Sequence, residues 1–169
     1  VKIIIFTLLL ISFGLQAQHT HEASDKMSVQ RKTLTAKELS GVKPILDKND
    51  ELFNAFLKED NSLIEKKSQE LSSLVKKSDL AALKGVKEQA KKLDSIKGSQ
   101  KRDKNLEAYE SFVNPLIKFV QTYDVGSKFN VFSCPMVEKS WIQNTDVNKG
   151  VKNVYAMEML ECGTQDTKF

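Results

Sequence analysis

The chain has 169 residues, 40% of them hydrophobic and 28% charged, with a formal net charge of +4. This length supports one domain with a real core, and the composition excludes a disordered chain. The lysines are interleaved with Asp and Glu, as on a solvated surface, and no DNA- or RNA-binding motif is present, so nucleic acid is excluded as a partner.

Lys2 followed by the apolar run Ile3 to Leu15 reads as a secretory leader. The run has the length of a signal h-region and is short for a membrane span. Leu15-Gln16-Ala17 offers cleavage after Ala17, giving a signal peptide over 1–17 and a periplasmic or secreted protein with no membrane segment after cleavage. An uncleaved anchor is the alternative. Residues 18–40 are polar and read as a flexible lead-in. Within it, His19 and His21 lie near the new N-terminus, where amine, amide and imidazole nitrogens chelate Cu(II). Two exposed tail histidines are the simpler reading.

A single domain is expected over 41–163, with a helical bundle over 41–124. The first helix is predicted from about Gly41 to Glu59 on the stripe Val42, Ile45, Leu46, Leu52, Phe53 and Phe56, with Pro44 in its first turn. Asp60 and Asn61 mark a break and a new N-cap. The second helix runs from about Ser62 to Lys77 on Ile64, Leu71 and Val75. The third, from about Asp79 to Lys97, has Ser78 as its cap and Leu83, Val86, Ala90, Leu93 and Ile96 as its buried face; Gly98 and Ser99 close it. The fourth is capped by Asp103 and carries Leu106, Tyr109, Val113, Leu116, Val120 and Tyr123. Pro115 inside it should kink or divide it. Short connections make consecutive helices antiparallel, so the expected fold is all-α: an up-down bundle of about four helices.

After Gly126 the pattern changes. Lys128 to Phe132 alternates and reads as extended. The remainder, 125–163, is expected to be an irregular C-terminal cap of loops and short elements, followed by a polar tail over 164–169. The cap holds both cysteines and three of the four methionines. Cys134 and Met136 flank a proline, and Met159 and Cys162 are one helical turn apart. Together they form a thiolate–thioether set, the kind that selects Cu(I) or Ag(I) over hard cations. Met157 is a substitute ligand, His19 and His21 are possible additional ones, and Trp141 is a wall to the site or the cap's hydrophobic anchor. The competing reading is a Cys134–Cys162 disulfide stapling a structural or interaction module, with the methionines as packing residues.

An enzyme is not expected. There is no Cys-x-x-Cys, no Gly-rich phosphate loop and no metalloprotease helix, and a thiol nucleophile would lack a nearby base.

Cys134-Pro135-Met136, Trp141, Asn153-Val154-Tyr155 and Met159-Leu160-Glu161-Cys162-Gly163 resemble the pattern of a small bacterial periplasmic family catalogued as a domain of unknown function. That family has a C-P-M segment, a Trp, an N-P-Y segment and a closing M-L-x-C-G, and its domains occur alone or fused to adaptor subunits of copper and heavy-metal efflux systems. Val154 replaces the family's proline. The resemblance implies periplasmic handling of copper as Cu(I) through Cys134, Met136, Met159 and Cys162, with an efflux adaptor or other periplasmic protein as partner.

Overall fold

The computed structural model describes residues 30–169. The leader, its cleavage site and His19 and His21 lie outside the described residues. The chain begins with β1 (Lys32–Thr33) and α1 (Ala36–Leu57), followed by α2 (Asn61–Lys77), α3 (Lys84–Asp94) and α4 (Arg102–Thr122). Then come β2 (Tyr123–Asp124), the pair β3 (Phe129–Cys134) and β4 (Lys139–Asn144), and β5 (Thr164–Gln165).

The helices follow their apolar stripes. Val42, Leu52, Phe53 and Phe56 of α1, Leu71 and Val75 of α2, Ala90 and Leu93 of α3, and Tyr109, Phe112, Val113, Leu116 and Val120 of α4 are all fully buried. Each large apolar side chain buried in this way contributes about 1.5–3 kcal/mol. Helix α1 packs on α2, α2 on α3 and α3 on α4.

Several helix ends differ from the sequence expectation. Helix α1 starts at Ala36 because Thr35 and Glu38 form a capping box: the Thr35 hydroxyl accepts from the Glu38 N–H, and the Glu38 carboxylate accepts from the Thr35 N–H. Pro44 therefore sits in the helix interior rather than its first turn. Asp60 does cap α2, accepting from the Leu63 N–H at 3.0 Å. The third element is a 3-10 turn, Ala81–Leu83, leading into α3, which ends at Asp94. Lys101, not Asp103, is the N-terminal cap position of α4, and α4 continues through Pro115 undivided.

The all-α expectation is corrected by the strands. Among the described residues there are five, in two sheets. β1 pairs in parallel with β2, so the chain just before α1 is tied to the end of α4. β3 and β4 form an antiparallel hairpin in which Phe132 faces Trp141 and Val131 faces Ile142. Such aromatic and β-branched cross-strand pairs stabilise a ladder by a few tenths to about 1 kcal/mol each. The turn uses Pro135 and, at φ 53°, Glu138. β5 adds to the free edge of β3, with Ser133 opposite Thr164. Thr164 and Gln165, read as the start of a polar tail, are therefore the third strand of this sheet. Thr167 continues the docking by accepting from the Val131 N–H at 2.8 Å. Helix α4 packs against β3 and β4, and α1 against β4. The cap is thus a small sheet laid on the helices.

Candidate functional site

The site is built on the end of β3 and on the strap 150–163. Gln143 of β4 is fully buried and organises the start of the strap. Its amide nitrogen donates to the Asn148 and Gly150 carbonyls, and its oxygen accepts from the Lys152 N–H and, at 3.4 Å, from the Trp141 indole N–H. All of its hydrogen-bonding capacity is therefore used, which is what a buried amide requires.

Asn153, also fully buried, clamps the next turn. Its N–H donates to the Leu160 carbonyl at 2.7 Å, its side-chain nitrogen donates to the Cys162 carbonyl at 3.0 Å, and its side-chain oxygen accepts from the Tyr155 N–H at 2.9 Å. Between these anchors the chain makes a 3-10 turn, Met157–Met159, and the Cys162 N–H donates to the Met159 carbonyl.

Gly163 then presses the strap onto the hairpin. A Cβ on Gly163 would lie 2.7 Å from the Ser133 carbonyl oxygen and 3.0 Å from the Trp141 ring, and its φ is +139°. The Arg102 guanidinium ties the strap to the helices by donating to the Phe56 and Val154 carbonyls at 3.0 and 2.8 Å. Lys139 of β4 pairs with both carboxylate oxygens of Glu110 on α4 at 2.8–2.9 Å.

These contacts bring Cys134 and Cys162 together as a disulfide with a Cα–Cα separation of 6.0 Å. Cys134 is buried at 1% exposure, and Cys162 is partly exposed. Each cysteine has a methionine close to it in sequence. Met136 lies on the hairpin turn at 71% exposure, and Met159 at the end of the 3-10 turn at 41%. Met157 is half-buried. Trp141 is fully buried, stacked on Phe132 with ring centroids 6.0 Å apart and roofed by Gly163. It is the cap's anchor and lies directly beneath the Cys162–Gly163 turn.

Burial pushes the Tyr155 hydroxyl well above its ordinary pKa, with the neighbouring Tyr109 and Glu110 adding to the effect. Burial likewise raises Tyr109, opposed by its hydrogen bond to Asn49. Both are neutral at physiological pH. Among the described residues no three His, Cys, Asp or Glu side chains converge as a metal cluster. In the disulfide the two cysteine sulfurs are not thiolate ligands; reduction would turn them into two soft donors. An open groove lined by Gly41, Pro44, Ile45, Leu74 and Leu80 shares no residue with the sulfur segments.

Sequence reasoning did not single out Asn153, Gly163, Gln143 or Arg102 as organisers of the site. Asn153 and Gly163 stood in the sequence only as members of the motif quoted above, and Gln143 and Arg102 carried no signal.

Fold and site together define a mainly helical α+β domain with a disulfide-stapled sulfur cap. No family model, curated protein or solved structure matches the chain. The resemblance to the periplasmic family rests on the C-terminal residues quoted above.

Proposed function

We propose that this domain is an exported soft-metal binding protein that takes Cu(I) or Ag(I) in its dithiol form and buffers the ion or passes it to a partner such as an efflux adaptor. The observation that carries this reading is the convergence of sulfur. Two chain segments far apart in sequence meet at Cys134 and Cys162. Close to them in sequence, Met136 and Met159 are exposed, where an apolar residue gains little from burial. Thiolates and thioethers bind Cu(I) and exchange it without a redox step at the metal. The disulfide is the metal-free, oxidised form of the same pair. Reduction by two electrons and two protons yields two thiols, and metal binding releases their protons.

The test is anaerobic Cu(I) competition against a chromophoric chelator. Reduced protein should bind one ion, and the oxidised form should bind at least about tenfold more weakly, since two of four donors are withdrawn. Met136→Ala should weaken binding and leave the fold intact. Unchanged affinity in that variant removes Met136 from the site.

A second reading is favoured by the disulfide itself: a stapled structural or interaction module without metal. The bond closes a 28-residue separation, worth about 3–4 kcal/mol on the chain-entropy estimate. Under this reading neither redox form competes for Cu(I), and reduction only lowers the melting temperature.

A further inference from the structure

The two ends of the disulfide are not equivalent. Cys134 ends β3, paired with Lys139 of β4 and next to Ser133, which pairs with Thr164 of β5, and it is 1% exposed. Cys162 follows a 3-10 turn at the surface, between exposed Glu161 and half-exposed Gly163. The strap that carries Cys162 is folded on itself by the Asn153 clamp and held on the hairpin by contacts that do not involve sulfur: the Lys152 N–H bond to Gln143, the Gly163 contact with Ser133, and the β3–β5 pairing. None of these contacts is made through the S–S bond.

We infer that Cys134–Cys162 is a one-sided thiol–disulfide exchange site for a dithiol reductant, entered at Cys162 and kept in register by Asn153 as a positioning residue. This stands whether or not the reduced pair takes a metal. The entering thiolate reaches the Cys162 sulfur along the S–S axis. A bond forms between reductant sulfur and Cys162, the Cys134–Cys162 bond breaks, and its electron pair leaves on Cys134, which takes a proton from solvent.

The released Cys134 thiol stays beside the mixed disulfide, because the clamp holds Cys162 in place. Its effective concentration is therefore high, and it re-forms the original bond faster than a second monothiol arrives. A dithiol escapes this. Its own second thiolate attacks the reductant sulfur, releases Cys162 and closes the reductant's disulfide. Two electrons and two protons pass from reductant to protein.

The test uses the wild-type chain. Dithiothreitol should open the bond under native conditions, and glutathione at equal thiol concentration should not. In the reduced protein, brief alkylation followed by peptide mapping should label Cys162 at least about tenfold faster than Cys134, given the thiolate access that governs such reactions. Trp141 emission should stay unshifted on reduction, because the strap remains docked. Asn153→Ala, which removes the bond to the Cys162 carbonyl, should loosen the strap in the dithiol, lower the effective concentration of the pair and move the dithiothreitol equilibrium toward the dithiol. Equal labelling of the two cysteines, a red shift of Trp141 on reduction, or efficient opening by glutathione would each overturn the inference. If Asn153→Ala does not fold, the wild-type labelling decides alone.

Discussion

Gly163→Ala tests how tightly the strap is held. The added methyl would sit 2.7 Å from the Ser133 carbonyl oxygen and 3.0 Å from the Trp141 ring. Neither neighbour is the loose end of a side chain. Ser133 is paired with both Ser140 and Thr164, and the indole is fully buried. The backbone at φ +139° adds a conformation that alanine rarely adopts. Backbone strain of about 1–3 kcal/mol together with overpacking of similar size gives an expected loss of about 2–6 kcal/mol. Urea denaturation of oxidised protein, followed by Trp141 fluorescence, reads this directly. Gly85→Ala is the matched control. Its methyl meets nothing within 4 Å and lies in α3, so it should stabilise by about 0.5–1 kcal/mol. A Gly163→Ala cost below about 0.5 kcal/mol would refute the contact, since ordinary surface substitutions fall in that range.

Burial pushes the Asp50 carboxyl up to about 6, against the opposing influence of Asn144 and Lys128. Its folded pKa exceeds the unfolded value, so the native state holds the extra proton and stability from this group rises as pH falls from about 7 toward 4. Asp50→Asn should raise stability at pH 7.5 by about 1 kcal/mol, reduced from the full shift because the group is part-exposed, and should flatten the pH profile between 4 and 7; an unchanged profile in thermal melts would contradict this. Thr35→Ala removes the α1 cap and should cost about 1 kcal/mol in the same assay, with hydrogen exchange accelerated over Ala36 to Leu39. Glu110→Gln, which breaks the half-buried pair to Lys139, should cost about 1 kcal/mol and lose its salt sensitivity.

The helices were legible where burial is one-sided. In α2 and α4, apolar residues at spacings of three and four fixed the elements to within a residue or two at most ends. The start of α1 was also written in the chain, as Thr35 with Glu38 three residues on, but the polar texture before it suggested a loose lead-in. The hairpin was hidden for a different reason. β4 reads Lys-Ser-Trp-Ile-Gln-Asn, with two apolar residues in six, yet Trp141 to Asn144 are all buried. Gln143 and Asn144 are inside because loop backbone comes to meet them, and that is a tertiary fact no local pattern carries. The convergence of Cys134 and Cys162 was legible as a pair. The asymmetry between them was not, because it depends on which strand edge and which turn each one closes.

The soft-metal reading is tested most directly by anaerobic Cu(I) competition on the same preparation before and after reduction, with thiols counted at each stage. The account predicts no free thiols and weak competition before reduction, then two thiols and one tightly held Cu(I) afterwards, lost in Cys134→Ser. Two thiols with no competition for Cu(I) would contradict it and leave the cap as a stapled structural element.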